Sequence, residues 1–433
     1  MKKLIYVVLD GAADGLKPPK SSLGSANKPN IDSLASSAVC GLVYTVGRGI
    51  APESDEAVIS ILGYDPERYY TGRGPLEALG AGVDFREGQV ALRANFATVD
   101  PKTRRIVDRR AGRGVTREEA VELARSLDHM RLDGGLGEAR FVPTVGHRAV
   151  LVLSHVRVRL SAEISNTDPA YEKAGLMSKA KASFEPFVQL SRPLREGDPG
   201  AAKAAELLNE FTLRAIEVLS SHPVNAARQS RGQLPANAVL ARDAGDRLPQ
   251  APPISQLFGL RFASVTEMPV ERGIARALGL TDLHYEVEGK AKEEILREEA
   301  DLVVDNIGMY DAFYVHLKGP DEPGHDGDFE GKVRAIELID RYFFSRLLSR
   351  VNLEEALLIV TSDHATPWYM KSHSDDPVPI MFSSPGIGRG PGRFDEASCS
   401  GGPLGVLERG TQILPTALRF LGQRTKLGRA VPS

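Results

Sequence analysis

The sequence predicts an α/β protein: a doubly wound core with a second α/β domain inserted into it. Three observations carry this reading. Apolar runs that end in an acid, a serine or a glycine stand at both ends of the chain. A helical pattern separates two of the late runs. A long middle stretch has strands and helices of its own but almost none of the acid-histidine groups found outside it.

The first run, 4–9, leads into Asp10-Gly11, and its lack of alternation suits a parallel strand covered on both faces. Late in the chain 312–317 leads into Lys318-Gly319-Pro320-Asp321, 356–361 into Ser362-Asp363-His364, and 379–382 into Ser383-Ser384-Pro385. Between the first two of these, from about 332 to 350, Val333, Ile336, Ile339, Phe343 and Leu347 recur at spacings of three and four, the stripe of a helix. The middle offers strands at 90–99, 149–154 and 262–266 and helices at 117–127 and 201–221. The expected domains are therefore 1–83 with 307–433, and an insertion at 84–306.

A chain of 433 residues is long enough for two such cores. Its net charge of −3 gives no general attraction to nucleic acid or to a membrane surface, so an anion site has to be built locally. No apolar run approaches the roughly 20 residues of a membrane helix. The N-terminal run is short, ends in Asp10-Gly11 and lacks a cleavage site, which argues against a signal peptide. Two cysteines, Cys40 and Cys399, far apart in sequence, fit a reducing cytoplasm better than a disulfide scaffold.

Acids and histidines cluster just after the expected strands: Asp10, then Asp321 with His325, then Asp363-His364, then His373. Carboxylate and imidazole suit Mn²⁺, Zn²⁺ and related cations. Singly, these are ordinary turn or surface residues, but in a doubly wound sheet they gather at the edge where ligands bind. Pro323 and Gly324 are expected to keep 321–325 out of a regular helix, so that a loop folds both ligands to one point. Asp363 and His364 are adjacent, so their side chains are expected to diverge and to serve a site of two ions.

Two cations suggest phosphoryl transfer. The candidate nucleophile is Ser54 in Pro52-Glu53-Ser54-Asp55-Glu56, after an expected strand at 42–46 and at the start of a helix whose first N–H groups favour an anion. The plainer alternative is that Ser54 only caps that helix. Thr45, inside the expected strand, and Thr71 are less suited.

Together these residues resemble a family. Val7-Val8-Leu9-Asp10-Gly11, Pro52-Glu53-Ser54-Asp55-Glu56-Ala57, Thr71-Gly72-Arg73-Gly74-Pro75-Leu76-Glu77-Ala78, Pro320-Asp321-Glu322-Pro323-Gly324-His325-Asp326-Gly327-Asp328 and Asp363-His364-Ala365-Thr366-Pro367 occur in the order found in archaeal-type cofactor-independent phosphoglycerate mutases, within the alkaline phosphatase superfamily. The resemblance covers nearly the whole chain and thins between 154 and 200. It implies an alkaline phosphatase-like core, two divalent ions (Mn²⁺, Zn²⁺, Co²⁺ or Mg²⁺), no 2,3-bisphosphoglycerate, and interconversion of 3- and 2-phosphoglycerate through a phosphoserine in glycolysis and gluconeogenesis. It implies that Asp321, His325 and His373 hold one ion, and that Asp10, Ser54, Asp363 and His364 hold the other.

The phosphate and carboxylate of such a substrate need forked donors from the inserted domain, which is expected to close over it. Arg113, His147, Arg148 and Arg228 are the candidates, with Arg73 at the domain junction, Arg109 and Arg110 nearby and Lys290 weaker. A metal-dependent phosphatase and a homoserine kinase-like relative use the same metals and serine. A non-catalytic metal-binding protein keeps the ligands and needs no Ser54.

Overall fold

The apolar run near the N-terminus forms β1 (Lys3–Leu9), with every residue from Leu4 to Leu9 buried. The structure, a computed structural model, describes residues 2–18 and 20–422. The further strands are β2 (Ala38–Val43), β3 (Val90–Val99), β4 (Ile106–Asp108), β5 (Met130–Leu132), β6 (Gly137–Pro143), β7 (Arg148–His155), β8 (Tyr171–Ala174), β9 (Met177–Ala180), β10 (Ala238–Gly245), β11 (Phe262–Thr266), β12 (Thr281–Asp282), β13 (Ala312–Leu317), β14 (Ala356–Thr361), β15 (Val378–Ser383) and β16 (Gly405–Leu407).

Among the described residues an eight-stranded sheet runs in the order β12-β11-β13-β1-β14-β15-β2-β16. β1 lies parallel to β13, Leu9 beside Leu317, and parallel to β14, Val8 beside Thr361. The carboxyl ends of these three neighbours therefore share one edge. β15 runs antiparallel to both β14 and β2, so the sheet is mixed and β2 points the same way as β14. This changes one expectation about the edge: His373 precedes its strand instead of following one. It reaches the same edge because the chain from β14 to β15 turns there. The strand expected at 42–46 ends at Val43, which leaves Thr45 beyond it.

The chain divides into two compact units, the first Met1–Tyr70, Gln250–Glu267 and Ile274–Ser433, the second Thr71–Pro249 and Met268–Gly273. The expected insertion at 84–306 thus starts too late and ends too late. β11, expected inside it, pairs in parallel with β13 in the first unit's sheet, Phe262 beside Ala312. Residues 423–433, expected in the first domain, lie outside the described residues. Cys40 and Cys399 are both buried and hydrogen-bonded to each other, which lowers the Cys40 thiol and raises that of Cys399.

The second unit is built on an antiparallel sheet ordered β10-β3-β7-β6-β5, with β4 joined to β3. Phe96, Phe141 and Phe211 meet in its core, the last from the long helix Pro199–Ser220. The helix Arg117–Arg125 opens on a capping box in which Thr116 and Glu119 exchange hydrogen bonds.

Candidate metal centre

Asp10 follows directly on β1, and Gly11 comes next with φ of 58°, the left-handed conformation that suits glycine. A β-carbon at Gly11 would lie 2.6 Å from Asp321 Oδ1 and 2.7 Å from Thr366 Oγ1. The glycine thus lets the chain from β1 pass close to ligands carried by other strands. The Gly11 N–H and the His364 N–H, each at 3.0 Å, donate to Asp363 Oδ1 and aim the other carboxylate oxygen into the site.

Asp321 and His325 do not lie in a loop, as their Pro-Gly spacer suggested, but on the short helix Asp321–Asp326. Pro323 is tolerated because it stands in the first turn, where its missing N–H has no intrahelical partner to lose. Gly324 is there for contact: a β-carbon would meet the Thr366 carbonyl oxygen at 2.6 Å. One turn of helix puts Asp321 Oδ1 within 3.5 Å of His325 Nε2. His373 Nε2 lies 3.1 Å from His325 Nε2 and 3.6 Å from Asp321 Oδ1.

A second group forms beside the first. Asp10, His316 and Asp363 are buried, and each offers a ligand atom within 4.8 Å of the others. His364 joins them, with Nε2 3.7 Å from Asp10 Oδ1 and 3.3 Å from Asp363 Oδ2. The side chains of Asp363 and His364 therefore converge instead of diverging. The strand ends at Thr361, and beyond it the strict alternation of side chains no longer applies. His316 went unnoticed in the sequence because a histidine inside Ala-Phe-Tyr-Val-His-Leu reads as core. Its position offers one signal: it stands near the carboxyl end of β13, two residues before Lys318, whose Nζ lies 3.2 Å from Asp10 Oδ2.

Ser54 is the first residue of the helix Ser54–Ile61, and Glu53 holds the capping position. Ser54 Oγ lies 3.0 Å from His364 Nε2, so the hydroxyl faces the ligands. The same turn carries Asp55 and Glu56, which work against an anion there; burial, with Asp55 and Glu53 adding to it, pushes Glu56 up to about 7.

The histidines are oriented through Nδ1. His373 Nδ1 donates to the Pro52 carbonyl at 2.8 Å, His325 Nδ1 to the Lys371 carbonyl at 3.3 Å, and His364 Nδ1 to Thr366 Oγ1 at 2.9 Å. In the neutral tautomers so fixed, each Nε2 keeps its lone pair and aims it at the carboxylates. Two lone pairs 3.1 Å apart repel unless a proton or a cation lies between them. Three atoms around a tetrahedral ion at about 2.1 Å are about 3.4 Å apart, and the contacts of 3.1, 3.5 and 3.6 Å in the first group match that spacing. In the second group Asp10 Oδ1 and Asp363 Oδ2 are buried and form no hydrogen bond with a described residue. The donor sets fit two cations.

Without cations the groups share protons instead. Burial pushes Asp10 up to about 8 against the pull of Lys318, with Asp363 and Asp321 adding to the rise. Burial also tends to lower His373, but Asp321, Glu53 and the Pro52 carbonyl overcome it and bring the imidazole up to about 9. Burial takes His364 down to about 4 despite Asp363. Asp363 and Asp321 stay ionised, since their imidazole neighbours outweigh burial.

In the second unit the expected substrate residues separate into two kinds. Arg228 is buried; its guanidinium donates to the carbonyls of Leu234 and Gly114 and pairs with Glu119, so it ties its own unit together. Arg109 is held by Asp168 through two hydrogen bonds of 2.9 and 2.6 Å. Arg73 and Arg148 belong to a cluster that also contains Arg93 and Arg242, which face each other across β3 and β10. Glu77 partly neutralises it, with Oε1 2.7 Å from Arg73 and 3.7 Å from Arg93. Arg93 Nε and Arg242 Nε and Nη1 are buried and form no hydrogen bond with a described residue. Burial, reinforced by Arg73 and Arg242, takes the Arg93 guanidinium down to about 9. Like charges directly opposite in a sheet are destabilising, so this cluster is suited to an anion. Burial and the charges of Arg148, Arg110, Arg93 and Arg113 take His147 down to about 4. Arg110 and Arg113 line a separate cavity of about 460 Å³. Lys290, in the first unit, pairs with Glu298.

Residues 35–225 match the profile of the family described as 2,3-bisphosphoglycerate-independent phosphoglycerate mutase. The protein of that name from Aeropyrum pernix is 56% identical over 97% of this chain and 99% of its own length. The one from Pyrobaculum neutrophilum is 38% identical over 99% of this chain and 100% of its own. Among solved structures, the cofactor-independent phosphoglycerate mutase of Thermoplasma acidophilum is 33% identical, covers 97% of this chain and 100% of its own, and superposes with a TM-score of 0.61. A Pyrococcus horikoshii protein is 29% identical, with 99% of both chains covered and a TM-score of 0.76.

Proposed function

We propose, on the premise that this chain belongs to the 2,3-bisphosphoglycerate-independent phosphoglycerate mutases, that it interconverts 3- and 2-phosphoglycerate through a phosphoserine at Ser54 beside two divalent cations. The observation that carries the proposal is the approach of Ser54 Oγ to His364 Nε2 at 3.0 Å, among carboxylates and imidazoles whose lone pairs converge. Asp321, His325 and His373 would hold one cation; Asp10, Asp363, His364 and Ser54, with His316 beside them, would hold the other. Bound there, Mn²⁺, Zn²⁺, Co²⁺ or Mg²⁺ would offset phosphoryl charge and make the serine hydroxyl more acidic.

The chain's own part is positioning. In the first transfer a bond forms between Ser54 Oγ and phosphorus, the bond to the 3-oxygen of the glycerate breaks, and that oxygen gains the proton that Ser54 loses. In the second transfer the 2-hydroxyl reverses these changes. No phosphoryl donor enters from outside, which is why 2,3-bisphosphoglycerate is not needed. The same chemistry would serve glycolysis and gluconeogenesis in the cytoplasm, a compartment that suits the buried reduced thiols Cys40 and Cys399.

Purified chain given 3-phosphoglycerate and Mn²⁺, with no 2,3-bisphosphoglycerate, is expected to form 2-phosphoglycerate in a coupled assay. Release of free phosphate without 2-phosphoglycerate would overturn the mutase reading in favour of a phosphatase.

For the substrate anion, the best-supported residues are Arg73, Arg93, Arg148 and Arg242, with Arg113 and His147 next. Arg242→Ala is expected to raise KM on the order of 10-fold or more, the worth of a charge-assisted hydrogen bond, with little change in melting temperature. Arg228→Ala is expected to do the reverse, because it breaks a buried pair with Glu119. Steady-state kinetics and thermal melts of the two variants decide between these roles.

A further inference from the structure

The two ligand groups are joined by one side chain that neither contains. Thr366 is fully buried. Its Oγ1 donates to Asp321 Oδ1 at 2.7 Å and accepts from His364 Nδ1 at 2.9 Å. A threonine hydroxyl has one hydrogen to give. Asp321, as a carboxylate, can only accept, so the hydrogen goes there and the oxygen lone pair faces His364. His364 must then carry its proton on Nδ1, which leaves Nε2 free to face Ser54, Asp10 and Asp363.

We infer that Thr366 is a positioning residue that couples the two cation sites, fixing the tautomer and ring of His364 in one and the carboxylate of Asp321 in the other. The inference rests on the two-cation reading above. Thr366 can exert this effect because its own place is set through the backbone. Its N–H donates to the Ala13 carbonyl at 3.0 Å, and its carbonyl accepts from Lys332 Nζ at 2.7 Å. Lys332 is itself buried and paired with Asp14 at 2.6 Å. The side chain is therefore not needed to hold the segment. One change, removal of the hydroxyl, deprives His364 and Asp321 of their shared partner at once.

The test is titration of Mn²⁺ into full-length, cation-stripped protein by calorimetry, with Co²⁺ absorption as a second readout of ligand geometry. Thr366→Val keeps the shape and removes the hydroxyl; Thr366→Ser keeps the hydroxyl. The wild type is expected to bind two ions. T366V is expected to weaken both sites, each about 10- to 100-fold, and to alter the Co²⁺ spectrum, while the cation-free protein still melts cooperatively, at a temperature lowered only by the lost buried hydrogen bonds. T366S is expected to restore binding and spectrum. Wild-type affinity in T366V, a loss confined to one site, or equal losses in T366S and T366V would each overturn the coupling role. A wild-type protein that takes up no cation would overturn the metal reading itself, a result distinct from the other three.

Discussion

Replacing Ser54 with alanine is expected to abolish interconversion of the phosphoglycerates, a loss on the order of 10⁴-fold or more if the serine carries the phosphoryl group. The structure makes this a clean experiment. Ser54 is the first helical residue, and Glu53, not Ser54, occupies the capping position, so Ser54→Ala removes no cap. Alanine is also the best helix former, which favours retention of the helix Ser54–Ile61. The hydrogen-bond partner of Ser54 Oγ is His364 Nε2, itself a candidate ligand, so the contact the hydroxyl makes belongs to the site. Wild-type protein quenched during turnover should yield a phosphorylated peptide containing Ser54, and Ser54→Ala should yield none. Turnover by Ser54→Ala at the wild-type rate would exclude the serine and leave a metal-binding protein whose chemistry lies elsewhere.

The edge that assembles this site was legible because the strands supporting it are buried on both faces and so appear as unbroken apolar runs. β1, β13 and β14 are such runs, and Asp10, Asp321, His325, Asp363, His364 and His373 come together because the sheet aligns their edge. β11 lies outside its expected domain: its five residues carry no mark of the sheet they join, and only the pairing with β13 places it there. His316 was missed for a related reason, since burial makes a ligand and a core histidine look alike in sequence. The arginines carry the least signal of their roles in the sequence. Arg228 stood out by its local motif, yet its role is set by Glu119, 109 positions away. Arg93 and Arg242 are not among the expected substrate residues, because only the pairing of β3 with β10 sets them opposite each other.

Stripping the cations should both stop turnover and change how stability depends on pH, and the second effect tests the ligand assignment without any substrate. In cation-free protein His373 titrates near 9, above its ordinary 6.5. The stability it contributes is present in full below 6.5 and is lost as pH rises through 9. Asp10 acts in the same direction: its folded value near 8 exceeds its ordinary 3.8, so the folded state holds a proton that the unfolded chain has released, and that advantage disappears as pH passes 8. His364 has the opposite sign, but its shift from 6.5 to about 4 acts only below neutrality. Between pH 6.5 and 9, then, these groups make the stripped protein less stable as pH rises. Cations do the reverse, because they compete with protons for the same Nε2 and carboxylate atoms and bind more tightly at higher pH. An ion held only by the native state adds about 2.7 kcal/mol at 100 times its Kd. The gap between melting temperatures with Mn²⁺ and with chelator should therefore be wider at pH 9 than at pH 6.5. His373→Gln, which removes the group with the higher of the two values, should narrow the difference between the two pH values. Equal melting with and without Mn²⁺ at both pH values would remove Asp10, Asp321, His325 and His373 as ligands.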